Sequence, residues 1–324
     1  MSFSLPVLVV VDHVSDEDGT YRLTVASKEL LTTARRLTDA TVLAIALCPE
    51  PEMDQLAKYG TDTVYVADLQ GRSPRIGAVV VDAVNACLQK TGKVAAILVV
   101  SNYRGREVAA GLASILDSGA AVDVTRLSAR GGKLVAGKTI LSGSWETIFQ
   151  IHRGTPIVGL RPSAVLAEVV NNPISANRED VQVTFRPETT AVQLVSSAAL
   201  NGDGPALTEA EVVVCGGRGT NGDFSQVNKL AEIFGGAVGA TRVAADEGWV
   251  ERSLQIGQTG ETIAPKLYVG LGVSGAIHHT CGMQSAQTIV AVCDDPDAPI
   301  FEMCDFGVVG KLEDVVPPAI EALQ

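Results

Sequence analysis

The sequence predicts an α/β chain of two domains, each a mainly parallel sheet with flanking helices, and three observations carry that expectation. Short apolar runs alternate with amphipathic segments in both halves of the chain, which is the pattern of βαβ units. The composition is 46% hydrophobic but 4% aromatic, so Ala, Val and Gly must fill the core; that mix suits strands covered on both faces better than a sandwich. At 324 residues there is room for two domains of ordinary size.

In chain order, Pro6–Val11 reads as a buried first strand within Leu5–Asp12, and a helix follows over Ser27–Leu37. Strands are expected at Thr41–Ala46, Thr63–Val66 and Ala95–Val100, with helices at Ile76–Gln89 and Asn102–Leu116. After Gly119 helices thin out: Val122–Leu127, Lys133–Ile140, Pro156–Leu160, Val181–Phe185 and Ala191–Val195 read as strands, suggesting mixed or antiparallel pairing at the edge of the first sheet. Ser196–Ala206 is small, polar and Gly/Pro-bearing, the composition of a linker. It divides the chain into domains of residues 1–199 and 200–324. Beyond it come strand Val212–Cys215, helix Gln226–Phe234, strands Leu267–Gly270 and Ile289–Val292, and a last helix over Leu312–Leu323.

A net charge of −12 argues against nucleic-acid binding, which needs a basic face. Six cysteines lie scattered without zinc-like or CxxC spacing, as reduced thiols of a reducing compartment do. The N-terminus lacks the features of a signal peptide and no apolar run reaches membrane-spanning length. A cytoplasmic protein that does not insert in a membrane is the expectation.

One string misleads. Gly132–Thr139 satisfies the P-loop pattern, yet Arg130-Gly131-Gly132 reads as a hairpin turn leading into a strand, whereas a working P-loop must open a helix. HExxH and GxSxG patterns do not occur. His13 and His152 read as structural, and no metal ligands show appropriate spacing.

The second half places chemistry after its strands. Val212–Cys215 runs into Gly216-Gly217-Arg218-Gly219, where glycines permit close approach and Arg218 offers a planar cation. Leu267-Tyr268-Val269 enters a GxGxxG string, Gly270, Gly272 and Gly275, with Asp294 and Asp295 about 20 residues on. That is the dinucleotide-binding arrangement, pointing to NAD(P) or FAD without deciding between them. His278 and His279 follow on an expected first helical turn. Gly257-Gln258-Thr259-Gly260 and Gly239-Ala240-Thr241-Arg242 add polar groups and a second cation.

The run LYVGLGVSGAIHHTCGMQSAQTIVAV, followed by DDPDAPIF and a Gly-Val-Val-Gly before the terminal helix, resembles the alpha-subunit signature of electron transfer flavoproteins. GGRG, GATR and IGQTG occur upstream in the same order, so the resemblance covers Val212–Leu323; the first domain is similar more weakly, in strand order and at Ala121–Thr125. The resemblance implies a heterodimer with a beta subunit and a Rossmann-like C-terminal domain holding FAD. It further implies an electron carrier, not a substrate-transforming enzyme. Such a carrier takes electrons from flavin dehydrogenases of the acyl-CoA dehydrogenase type in fatty acid beta-oxidation, and passes them to a membrane quinone reductase.

By position, the resemblance sets Arg218 near the flavin, Thr241 where a serine is usual, and Arg242 against the ring system. Ile256, Gly257, Gln258 and Thr259 would follow the ring, with Thr259 near N5, and His279 would face the N1/O2 edge as a positive group. Ser274, Gly275, Ala276 and Ile277 would meet the ribityl and pyrophosphate through backbone N–H groups. His278 stands where a glutamine is usual. At the adenosine end, beside Leu312, Cys293 replaces an asparagine and Lys311 an aspartate, each lost hydrogen bond being worth about 1–3 kcal/mol. Two other readings remain open on residues alone: an NAD(P)-dependent oxidoreductase using Gly270, Gly272 and Gly275, and a non-redox nucleotide-binding paralogue.

Overall fold

A computed structural model describes residues 2–15, 19–141, 145–196 and 205–323. The chain divides into two compact units, Met1–Ser197 and Ala198–Gln324. Most of the expected linker, residues 197–204, lies outside the described residues.

The first unit opens with β1 (Val7–Val11), the short hairpin β2 (His13–Ser15) and β3 (Tyr21–Leu23), and α1 (Val25–Leu37). There follow β4 (Val42–Ala46), α2 (Met53–Lys58), β5 (Thr63–Asp68), α3 (Gly77–Thr91), β6 (Ala96–Val100) and α4 (Tyr103–Ile115). Every residue of β1 is buried, because alternate side chains enter opposite cores: Val7, Val9 and Val11 face α1, while Leu8 and Val10 face the layer of α3 and α4. That two-sided burial explains why the strand is a continuous apolar run rather than an alternating one. Thr24 and Asn102 start α1 and α4 by accepting hydrogen bonds from the Ser27 and Gly105 N–H groups.

The remainder of this unit is β7 (Ala120–Val124), β8 (Arg126–Arg130), β9 (Lys133–Ile140), β10 (Trp145–Gln150), β11 (Ile157–Leu160), β12 (Asn177–Gln182) and the single turn α5 (Pro187–Thr190). Three expectations are corrected. Val122–Leu127 is not one strand: the chain leaves a parallel sheet after Val124 and enters an antiparallel one at Arg126. The later strands do not add antiparallel pairs to the main sheet. Instead β7, β11 and β12 complete a seven-stranded parallel sheet, ordered β12-β5-β4-β1-β6-β11-β7, and β8, β9 and β10 form a separate antiparallel sheet. Ala191–Val195 forms no strand; its apolar residues Val192, Leu194 and Val195 are exposed, with no strand pairing them. The P-loop string occupies β9 after a turn at Gly131 and Gly132, both with positive φ, so its N–H groups are engaged in a sheet.

The second unit contains β13 (Val212–Gly216), α6 (Ser225–Ile233), β14 (Ala237–Ala240), α7 (Arg242–Asp246), β15 (Leu267–Leu271), α8 (Ile277–Thr280), β16 (Thr288–Cys293), β17 (Phe306–Val309) and α9 (Leu312–Leu323). Its five strands are all parallel, in the order β14-β13-β15-β16-β17. Val214, Val269 and Leu271 pack beneath α6 and α9, whereas Val213, Cys215 and Tyr268 face a second core with Ile256 and Met283. The chain goes from β13 to one side for β14 and to the other for β15, so the order reverses at β13. Open α/β sheets bind ligands outside the carboxyl ends of their strands at that point.

Candidate cofactor site

Two glycine loops meet at this reversal. The Gly217 N–H donates to the Leu271 carbonyl at 2.9 Å, and the Gly219 N–H donates to the Gly272 carbonyl at 3.0 Å. A Cβ on Gly217 would lie 2.3 Å from the Gly272 oxygen, and one on Gly272, whose φ is +64°, would lie 2.6 Å from the Gly219 Cα. These glycines therefore serve backbone-on-backbone packing between β13 and β15. Gly275, with φ of +81°, packs in the same way against the Ile300 backbone.

The GxGxxG string does not open a long helix, which sets it apart from the NAD(P) form of the dinucleotide fingerprint but not from the FAD reading. Residues 273–276 are irregular and the following α8 has four residues. Without an extended helix there is no N-terminal dipole of the strength an NAD(P) pyrophosphate site uses.

The expected site residues nevertheless fall along one edge of the sheet, in strand order. Thr241 and Arg242 follow β14, Arg218 follows β13, Ser274 to His279 follow β15, Cys293 ends β16, and Lys311 and Leu312 follow β17. Ile256 to Thr259 join this edge because the Ile256 N–H donates to the Ala240 carbonyl and the Gln258 N–H to the His278 carbonyl. Arg218, Arg242, Gln258, Thr259, Ser274, Ala276, Ile277, His278 and Lys311 are exposed there, while Ile256, Gly257 and Gly275 are buried. The His278 ring donates from Nδ1 to Gln258 Oε1 at 2.6 Å, tying α8 to the polar loop.

Arg242 lies 3.1 Å from Asp246, which also pairs with Arg252; its charge is thus shared. Arg218 has no ion-pair partner among the described residues, and Lys311 stands 3.6 Å from Glu313. A cavity of about 360 Å³ lies between the ends of β13, β15, β16 and β17, lined by Gly219, Asn221, Asp223, Asp294, Lys311 and Glu313 among others. That is the size range of small-molecule sites.

Two residues stand differently from expectation. His279 is 5% exposed, and both ring nitrogens are engaged within the domain, by the Tyr268 hydroxyl at 2.7 Å and the Ile256 carbonyl at 3.0 Å. Burial pushes its pKa down to about 4 against the pull of that carbonyl, so it is neutral near pH 7 rather than the positive group the resemblance implied. The Cys293 side chain is also buried, packed with Ala291, Ala298 and Ile300, while its carbonyl accepts from the Gly310 N–H. A thiol fits this apolar position, and cavity contacts fall to its neighbour Asp294.

Sequence reasoning missed Tyr268 and Gln255. Tyr268 reads as one more strand residue, yet its hydroxyl holds His279; Gln255 is 2% exposed and donates to Thr259 Oγ1 at 2.9 Å. A tyrosine two residues before a glycine-rich string and eleven before a histidine carries no signal by spacing alone. Thr241 Oγ1 and Gln255 Oε1 are buried without hydrogen-bond partners. Exposed cations beside a glycine cradle fit an anionic group, to which the Thr241 hydroxyl can donate, while the Gln255 oxygen fits a donor on a polar ligand.

Comparison with known proteins agrees with this geometry. Residues 206–284 match the family described as electron transfer flavoprotein FAD-binding domain, and residues 12–189 match the electron transfer flavoprotein domain. The electron transfer flavoprotein subunit alpha of Mycobacterium leprae is 38% identical over 323 residues, covering 98% of each chain. That of Syntrophomonas wolfei is 35% identical, covering 96% of this chain and 98% of the relative. The mitochondrial alpha subunit of Dictyostelium discoideum is 47% identical over 137 residues, 42% of this chain and 39% of the relative. The chain therefore belongs to the electron transfer flavoprotein family, as an alpha-subunit member whose C-terminal domain is of the FAD-binding kind.

Proposed function

We propose that this chain is the FAD-holding half of an alpha/beta heterodimer that carries electrons from flavin dehydrogenases of the acyl-CoA dehydrogenase type to a membrane quinone reductase, in the cytoplasm, without transforming a substrate of its own. The observation that carries the reading is the ordered line of exposed cations and amides along the carboxyl edge of the second sheet. Relatives named as alpha subunits support the expectation of a beta partner.

Bound FAD supplies reversible one- and two-electron chemistry. The chain's residues then bind and tune. Arg242, beside the ring, favours negative charge on the reduced flavin, and Asp246 moderates that effect. The loop from Ile256 to Thr259, braced by Gln255 and by the His278 carbonyl, presents hydrogen-bonding groups along the ring edge. Exposed Ser274 and Ala276 precede α8 with backbone N–H groups suited to phosphate oxygens. Lys311 and Asp294 border the cavity where the adenosine end would lie; there a lysine in place of the usual carboxylate would reach a phosphate instead.

Co-expression with a beta-type subunit tests this. A flavin absorbance spectrum that bleaches on adding an acyl-CoA dehydrogenase with its substrate is the expected result. A colourless complex that takes up no added FAD, or a bound flavin that no dehydrogenase reduces, would refute the reading.

A further inference from the structure

Within the second core of the FAD-binding unit, a hydrogen-bonded chain runs between buried apolar residues. Cys215 of β13, Tyr268 of β15 and His279 of α8 come together there, all three fully or almost fully buried. His279 Nδ1 lies 3.0 Å from the Ile256 carbonyl, His279 Nε2 lies 2.7 Å from the Tyr268 hydroxyl, and Cys215 Sγ lies 3.9 Å from the same Nε2. The two rings are tilted by 52° with centroids 6.1 Å apart.

A peptide carbonyl can only accept, so the proton of a neutral ring must sit on Nδ1. Nε2 is then an acceptor, and the Tyr268 hydroxyl must donate to it. The groups facing the ring are the Cys215 thiol from β13, the Tyr268 phenol from β15 and the Ile256 carbonyl from the polar loop; its neighbour on α8, His278, turns to Gln258 instead. None of these is an anion that could offset an imidazolium. Burial pushes the thiol up to about 12 and the phenol well above its ordinary range, so both stay protonated and neutral.

We propose that Tyr268 is a positioning residue that fixes the His279 ring in place as the Nδ1–H tautomer, so that α8 and the Ile256–Thr259 loop meet the cofactor as one rigid dipolar wall. The placement of this wall against FAD rests on the function proposed above; the protonation pattern does not. The geometry favours the arrangement because His279 joins both sides of the wall: its ring holds the Ile256 carbonyl, and the Gly257 Cα lies against α8 closely enough that a Cβ there would be 2.5 Å from the His278 oxygen. Removing the donor to Nε2 withdraws a hydrogen bond that only the neutral ring can accept. The ring's titration should then move upward by roughly one pH unit.

The test uses the full chain co-expressed with its beta-type subunit, labelled with ¹⁵N-histidine. Four histidines give four ring systems, assignable by single substitutions at His13, His152 and His278. In the unsubstituted protein at pH 7, His279 should show one protonated nitrogen and one hydrogen-bonded, unprotonated nitrogen. In Tyr268→Phe the unprotonated nitrogen should move to the value of a free acceptor. At pH 5 about half of the variant's His279 should be protonated, against about a tenth without the substitution, and the flavin midpoint potential should acquire a break in its pH profile there. Two protonated nitrogens at pH 7 in the unsubstituted protein, or a Tyr268→Phe variant with unmoved shifts and titration, would overturn the role of Tyr268. A shifted titration with an unchanged potential profile would overturn its link to the cofactor. Because the nitrogen shifts are readable without flavin, they decide the matter even if the variant binds FAD poorly, and absence of flavin from the unsubstituted complex would count against the proposed function instead.

Discussion

Replacing Gly272 with alanine is the sharpest test of how the two glycine loops build the cofactor edge. The added Cβ meets the Gly219 backbone at 2.6 Å from Cα and 2.8 Å from C, neither of which can swing away as a side chain would. Overpacking of this kind costs about 1–3 kcal/mol, and holding an alanine at φ of +64° adds roughly 1–2 kcal/mol. The total, about 2–5 kcal/mol, is a large share of a domain's stability. Gly235→Ala is the matched control: its φ is +59° but no atom lies within 4 Å of the built Cβ, so the conformational part alone applies. The chain has two tryptophans, Trp145 in the first unit and Trp249 in the second, so urea unfolding followed by fluorescence in a Trp145→Phe background reports the second unit. Gly272→Ala should lower that midpoint clearly more than Gly235→Ala and weaken FAD retention. Equal midpoints for the two variants would refute the argument that loop packing, rather than backbone conformation alone, requires glycine at 272.

Other outcomes follow from single sites. Asp82 is 3% exposed and accepts from both the Arg186 backbone N–H at 3.0 Å and its Nε at 2.5 Å; Asp82→Ala should destabilise the first unit by about 2–4 kcal/mol, read from Trp145 in a Trp249→Phe background. Burial raises the Glu29 pKa from 4.5 to about 7, although the Ser163 N–H donates to it at 2.6 Å. The folded state therefore holds this proton more tightly than the unfolded one, and the associated stability, present in full below pH 4.5, is lost as pH rises through 7. His13, lowered to about 4 by burial, acts in the opposite sense, gaining stability as pH rises from 4 to 6.5. The difference between the native chain and Glu29→Gln isolates the carboxyl: it should change by roughly 2–3 kcal/mol between pH 4.5 and 7.5, and a constant difference would contradict the assignment. Arg242→Ala should lower the potential of bound flavin more than it weakens FAD affinity, and Asp246→Asn should raise the potential, both measurable by spectroelectrochemistry. Complete loss of flavin from Arg242→Ala would mean that the side chain holds the cofactor rather than tunes it.

The sequence by itself determined the alternation of buried strands and amphipathic helices, because a strand covered on both faces must be a continuous apolar run; β1, β4 and β6 are all legible for that reason. It also marked the candidate residues of the second sheet's carboxyl edge, since Gly, Arg, His and amide side chains cluster where strands end. Other elements escaped wholly or in part because their residues carry no such pattern: the strand expected at Val181–Phe185 is β12, which begins earlier with the polar Asn177-Arg178-Glu179-Asp180 at a sheet edge and ends at Gln182, and β14 is four small residues, Ala237–Ala240. Conversely, Ala191–Val195 has a strand's composition but finds no partner strand. Only the tertiary structure decided what the glycines and histidines do. Gly272 and Gly219 proved to be the contact between two backbones, and the adjacent histidines parted, His278 to the exposed loop and His279 to the core. That division rests on the single helical turn of α8 and on Tyr268 eleven residues before His279 in the chain. Burial and protonation depend on such distant neighbours, which a local pattern of residues does not encode.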